Sequence, residues 1–421
     1  MPQYLAPGVY VEEVPSAIKP IAGVGTSTAG FIGLVADDVA TPLRPGVNPL
    51  REPKADEKEA NGTLKPNVDL HKTRTAYPDD FYALAPVATP QLVTSWESFR
   101  NAFGDVQDGN RVLGHAVYGF FNNGGTRCWV TRYATAQTKP LALKDAQEAL
   151  SAFKAIDEIA LVAIPGAVGD DVQTAILDHC ESAYLQDRFA ILDGRQTATL
   201  TKAGVQGGVR DSSYGAIYFP WIDIGEKDAQ DKPVFLPPSG HIAGVFARVD
   251  AERGVHKAPA NEVIRGALGV QALLSREDQA GLNPDDINVI RKFDGNITIW
   301  GARTMAGAEN AEWRYINVRR LFNFLRESID EGTQWVVFEP NSPELWSKIR
   351  RNVGAFLTNV WSTGALFGAT PEQAFYVRCD ETNNPTEVRD LGQVVTEIGV
   401  AVVKPAEFVV FRVSQWAGSG Q

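Results

Sequence analysis

Two residues have the order of a charge-relay pair. Asp193 closes an apolar run at 189–192 and precedes Gly194, and His241 lies in Gly240-His241-Ile242-Ala243-Gly244. An aspartate at a strand end and a histidine at a helix start are what a serine hydrolase uses to activate a hydroxyl. The nucleophile is missing. The string Gly-Thr-Ser-x-Ala occurs at Gly25-Thr26-Ser27-Thr28-Ala29, ahead of both partners rather than after them. A triad needs its serine within hydrogen-bond reach of the imidazole. Asp193 and His241 therefore read as a strand-end turn and a polar residue at a helix start. The chain reads as no enzyme, with a serine hydrolase as the alternative and no catalytic residue assigned.

Other chemistry-bearing types fall in uninformative patterns. His71, His115, His179, His241 and His256 show no HExxH or other ligand spacing. Asp285-Asp286 and Asp380-Glu381 read as solvated loop pairs, and Gly124-Gly125 as a turn, since no helix opens directly after it. No GxxxxGK[ST] string occurs, which argues against nucleotide-driven work. Cofactor and metal sites are thus expected to be none. Cys128, Cys180 and Cys379 are odd in number and far apart, the pattern of buried reduced thiols.

The 421 residues carry a formal charge of −11, with 44% hydrophobic and 22% charged side chains. That balance suits a globular chain of two or three domains. Its acidity and lack of a basic stripe exclude nucleic acid as a partner class. No apolar run approaches a membrane span, and the N-terminus lacks the pattern of a signal peptide. The expectation is assembly in a cytosol without membrane insertion.

The elements that must position these residues begin and end with isolated extended runs. Pro7-Gly8 leads into Val9, Tyr10, Val11, Glu12 and Glu13; Pro405 leads into Glu407, then Phe408, Val409, Val410 and Phe411. Neither run has a hairpin partner beside it in sequence. A strand without a partner offers its N–H and C=O groups to another chain. Two such arms point to a subunit woven into its neighbours. Hinges are expected at Gly23/Gly25 and near Lys404-Pro405.

Between the arms, strands are expected at 30–35, 92–93, 128–132, 158–164, 189–192, 216–221 and 297–300. Helices are expected at 96–103, 111–121, 170–185 and 239–253. That alternation argues a parallel α/β sheet with right-handed crossovers. Residues 37–90, with recurring prolines, read as an irregular surface excursion. The last third reads as α+β: helices at 312–330 and 342–361, and strands at 334–338, 375–378 and 394–403. Ser342-Pro343-Glu344 is a helix-start signature.

Several blocks resemble the contractile tail sheath protein family of phages and phage-tail-like injection systems. They are Tyr4-Leu5-Ala6-Pro7-Gly8-Val9-Tyr10-Val11-Glu12-Glu13, Pro237-Pro238-Ser239-Gly240-His241, Lys257-Ala258-Pro259-Ala260-Asn261, Trp300-Gly301-Ala302-Arg303-Thr304, and Trp313-Arg314-Tyr315-Ile316-Asn317-Val318-Arg319-Arg320-Leu321. Gly332-Thr333-Gln334-Trp335, Phe338-Glu339-Pro340-Asn341 and Val403-Lys404-Pro405-Ala406-Glu407-Phe408 complete the set. They run from one terminus to the other; the excursion at 37–90 is the least similar part.

The resemblance implies a subunit of hexameric rings stacked around an inner tube. The rings would contract from a metastable extended state, linked by terminal strands donated to a neighbour's C-terminal sheet. It implies self-assembly, an inner tube protein, and baseplate and cap or terminator proteins as partners. The middle α/β region is subtilisin-like in layout. The expected organisation is an arm and hinge at 1–28, an α/β region at 29–304, a C-terminal α+β domain at 305–403 and a second arm at 404–421. A C-terminal-domain helix is expected to face the tube; on 342–361 the candidates are Lys348, Arg350 and Arg351.

Overall fold

The computed structural model describes residues 20–134, 141–228 and 230–412. Val9, Tyr10, Val11, Glu12 and Glu13 lie outside the described residues. The chain divides into two compact units, residues 24–324 with the C-terminal segment from Val403, and 325–402 with the segment up to Gly23.

The strands of the first unit are β1 (Ala29–Leu34), β2 (Gln91–Val93), β3 (Cys128–Tyr133), β4 (Leu161–Ala163), β5 (Phe189–Asp193), β6 (Gly215–Phe219), β7 (Ile222–Lys227), β8 (Pro233–Leu236), β9 (Glu262–Val263), β10 (Gly269–Val270), β11 (Ile287–Phe293) and β12 (Asn296–Trp300). Among the described residues, nine of them form one sheet in the order β2-β3-β1-β4-β5-β6-β11-β12-β9. The run from β3 to β11 is parallel, and antiparallel pairs close both sides. β10-β7-β8 form a separate small sheet.

Alternate residues of the central strands enter opposite cores, as the period of a strand requires. Phe189 and Ile191 of β5 and Ala216 and Tyr218 of β6 face one core. It is completed by α1 (Trp96–Phe103), α2 (Arg111–Asn122) and α6 (Ser239–Arg253). Ala190, Leu192, Ile217 and Phe219 face the other, against α3 (Leu143–Phe153) and α4 (Asp170–Glu181). Both faces of the parallel strands are buried, so these runs read as continuously apolar. Short helices α5 (Lys202–Val205) and α7 (Arg276–Leu282) lie in later connections.

The excursion is irregular but paired with itself. Leu43 bridges Phe81, Leu50 bridges His71 and Lys58 bridges Leu64, in nested antiparallel order. Arg51 grips the Glu57 carboxylate at 2.7 and 2.6 Å. Phe81 and Ala85 are buried, which ties its return limb down.

Helix α8 (Ile316–Thr333) crosses the division between units in sequence. The second unit holds α9 (Pro343–Ser362), α10 (Pro371–Ala374), β13 (Phe375–Arg378), α11 (Thr386–Asp390) and β14 (Glu397–Val400). β13 and β14 pair antiparallel, Phe375 opposite Val400 and Arg378 opposite Glu397. The strand expected at 334–338 is instead a single 3-10 turn, Gln334–Val336, with Phe338 exposed at φ +69°. A short apolar run has no intrinsic preference strong enough to extend without a partner ladder.

Candidate arm-anchoring site

Asn288, buried on β11, starts the site. Its amide donates to the Arg303 carbonyl at 2.7 Å and accepts from the Arg303 N–H at 2.8 Å. Gly301 permits this approach, since a Cβ there would lie 2.7 Å from the Asn288 amide oxygen. The backbone of Arg303 is therefore fixed before its side chain is considered.

The Arg303 guanidinium meets the Glu407 carboxylate side-on. Nε donates to Oε1 and Nη2 to Oε2, each at 2.9 Å. Asn283 Nδ2 adds a bond to Oε1 at 2.8 Å, and the Tyr315 hydroxyl one to Oε2 at 3.0 Å. The third guanidinium nitrogen, Nη1, donates to the Asn283 carbonyl at 2.8 Å and lies 3.7 Å from Asp286. Four donors on one carboxylate, with a planar bidentate partner, make a strong and directional anchor. Burial alone would raise the Glu407 carboxyl. The bonds from Arg303 and Asn283, with Tyr315, outweigh burial and hold it below its ordinary value.

The start of α8 holds more of both chain ends. Asn317 Nδ2 donates to the Val403 carbonyl at 3.0 Å and to the His256 carbonyl at 2.8 Å. Arg320 donates to Asp250 Oδ1 and to the Thr26 carbonyl, each at 2.9 Å, while the Thr26 hydroxyl donates to Asp250 Oδ2 at 2.6 Å. Arg319 stacks between Trp313 and Tyr214, its guanidinium carbon 3.6 and 4.2 Å from the ring centres. Desolvation of two buried arginines is offset by these carboxylate, carbonyl and ring partners. The segment containing Tyr315, Asn317 and Arg320 thus pins the chain at Thr26 and again at Val403 and Glu407. Lys404-Pro405, expected as a hinge, lies between the contacts made by Val403 and Glu407.

Phe408, Val409, Val410 and Phe411 follow at once, 73%, 68%, 77% and 86% exposed, and among the described residues they lie in no strand. The α9 residues are mixed. Lys348 and Arg351 are exposed opposite the buried Leu345, Ile349, Val353, Phe356 and Leu357, whereas Arg350 donates to the Cys379 carbonyl and to Ser347 Oγ.

Asp193 and His241 do not form a relay. The Asp193 carboxylate accepts from Ser239 N at 2.9 Å, Ser239 Oγ at 2.7 Å and Gly166 N at 2.9 Å. The His241 ring lies on Gly119, where a Cβ would come within 2.4 Å of it, and its Nδ1 is buried without a partner. Asp193 therefore fastens the start of α6 to the end of β5. Gly240 lets α6 close on α2, because a Cβ there would stand 2.4 Å from the Ala116 carbonyl oxygen. Cys128, Cys180 and Cys379 are buried free thiols.

Arg303, Tyr315, Asn317, Arg320 and Glu407 belong to blocks singled out in the sequence, whereas Asn283, Asn288 and Asp250 do not, and the sequence assigned none of them an anchoring role. The available signal was Arg303 and Glu407 standing as charged residues within otherwise apolar or small-residue strings. A buried charge requires a partner, but the partner's address, 104 positions away, is a property of the fold.

Residues 142–305 match the phage tail sheath protein central domain, and residues 308–415 match the phage tail sheath C-terminal domain. The tail sheath protein of Vibrio phage KVP40 is 32% identical over 186 residues, 43% of this chain and 27% of that protein's length. The chain thus spans about a quarter of that curated relative. Two solved assemblies align along almost the whole chain. One is an extracellular contractile injection system, the PVC sheath complex in its contracted state, with a TM-score of 0.71, 26% identity, and 99% of each chain covered. The other is the 6-fold symmetrised baseplate of the anti-feeding prophage, with a TM-score of 0.69, 28% identity, and 98% and 99% covered. Two domain matches in chain order, together with full-length similarity to contractile sheaths, establish that the chain belongs to the phage tail sheath family.

Proposed function

We propose that the chain is the structural sheath subunit of a contractile injection machine. Six copies form a ring, rings stack helically around an inner tube, and contraction from a metastable extended state drives the tube through a target envelope. The observation that carries this is the alignment of nearly the entire chain with a sheath in its contracted state. Terminal arms, 1–28 and 404–421, link copies; the α/β region, 29–304, resembles subtilisin in layout without its nucleophile; the α+β domain, 305–403, receives the strands. In support, β13 and β14 form a sheet of two strands, and Phe408 to Phe411 form an exposed apolar run. Two strands alone are marginal in water, and added strands supply main-chain bonds.

Further partners are the inner tube, the baseplate and the cap or terminator proteins, with assembly in a bacterial cytoplasm as part of a phage tail or tail-like particle. The tube would meet α9 through Lys348 and Arg351, with Arg350 bracing the helix. An enzymatic role is disfavoured because Asp193 is saturated by Ser239 and Gly166 rather than directed at His241. Negative-stain microscopy of the purified chain, alone and co-expressed with the tube protein, tests the proposal. Hollow tubes of stacked rings are expected. A monodisperse monomer under both conditions would overturn it.

A further inference from the structure

The C-terminal segment has an abrupt change of environment. Val403 is held through its carbonyl by Asn317, and Glu407 by four donors. The next residue, Phe408, is 73% exposed and begins a run of four large apolar side chains. A flexible tether would blur that boundary; a saturated carboxylate fixes it to one residue. The same stretch of chain, Tyr315 to Arg320, fixes the other end at Thr26. Both pins enclose charges that are costly to leave unpaired, so neither opens without loss.

We propose that Glu407 is a positioning residue for arm donation: its clamp on Arg303, Asn283 and Tyr315 sets the length and register of the segment offered to a neighbouring copy. The inference rests on the strand-donation reading and adds to it a defined starting point. In a strand a shift of one residue exchanges the two faces of the ladder. A segment released at Val403 instead of Glu407 would gain four residues of slack. Its apolar side chains would then no longer arrive at the neighbour in one register. The fixed exit also gives a pull on the arm a direct route into the start of α8, through Tyr315.

The test uses the full chain and two readouts. A spin label at Phe408→Cys, against buried native cysteines, reports arm mobility in the unassembled protein; sheath length by negative stain reports assembly. Glu407→Gln keeps the shape and places an amide N–H₂ against donors. It is expected to increase label mobility while the folded core persists, and to reduce the yield of long sheaths roughly tenfold or more, the scale of one lost charge-assisted contact. Glu407→Asp, one methylene short of Arg303, should reproduce the assembly defect.

Unchanged label mobility in Glu407→Gln would overturn the clamp, whether or not the preparation forms sheaths. Raised mobility with sheaths of normal length and yield would overturn its role in register. Truncation after Glu407 separates the two readings. If the truncated chain assembles normally, donation of this segment fails altogether. If truncation abolishes sheaths while Glu407→Gln assembles normally, donation survives and the register role fails.

Discussion

Arg303 and Glu407, 104 positions apart, share a bidentate contact of 2.9 and 2.9 Å at the point where the C-terminal segment leaves the α/β unit. The arginine is buried, the Glu407 side chain is 19% exposed, and the pair closes a loop of chain that includes residues 325–402. The contact is both a structural pin and the origin of the segment proposed to reach a neighbour.

Arg303→Ala removes the bidentate partner and the cation facing Asp286, whose carboxyl burial already raises. Loss of one member of a buried pair costs about 3 kcal/mol or more. The expected outcome is a lower urea midpoint. Arg303→Lys should recover little of it, because an ammonium cannot bond both carboxylate oxygens and the Asn283 carbonyl in one plane. A midpoint equal to the parent's for the alanine variant would contradict this.

Two glycine substitutions should differ in sign. Gly240→Ala drives a Cβ into the Ala116 carbonyl at 2.4 Å, an overpacking cost of about 2 kcal/mol. Gly354 lies inside α9 with nothing within 4 Å of its Cβ position, so Gly354→Ala should gain about 0.5–1 kcal/mol from helix propensity. Thermal denaturation of the two variants side by side measures both.

Acid should weaken the fold before the carboxylates of the surface titrate. Burial, aided by Arg188 and Lys154, holds His179 down to about 3, and burial, aided by His115, holds His241 down to about 4, from 6.5. The unfolded chain therefore takes up two protons below about pH 6.5 that the folded chain refuses, and their contribution is full above that pH and declines toward 4. Asp193 acts oppositely: burial raises it from 3.8 to about 6, so the folded chain binds its proton first and stability is regained as pH falls from 6. His179 and His241 against Asp193 leave a net loss on the order of 3 kcal/mol between pH 7 and 4.5; burial lowers His256, which adds to the loss, and raises Asp286, which opposes it. Against burial, the bonds from Arg303 and Asn283 hold Glu407 below its ordinary value, so its contribution too is lost as pH falls. A urea midpoint that rises on acidification across the same range would be incompatible with neutral buried histidines.

Lys348→Glu combined with Arg351→Glu changes two exposed side chains on α9, so stability should move by no more than about 0.5 kcal/mol. If α9 faces the tube, the double variant should still form sheaths alone yet fail to co-assemble with the tube protein. Normal co-assembly, read by microscopy and co-sedimentation, would remove Lys348 and Arg351 from the tube surface.

What the sequence determined by itself was local. The apolar runs of β1, β5 and β6, the Ser342 helix start and the stripe of α9 are set by residue period and capping chemistry, which act over a few positions. The blocks around Arg303, Tyr315 and Glu407 marked the family, and the relation of Asp193 to His241 suggested a relay. Tertiary structure decided what these residues do. It joined Arg303 to Glu407, turned Asp193 toward Ser239, and moved the fixed point of the C-terminal segment past Lys404-Pro405. It also gave residues 334–336 a 3-10 turn with no ladder partner among the described residues, in place of a strand. The reason is common to all four cases. Buried charges and open strand edges are governed by which distant groups complete them, and chain order does not specify distance in space.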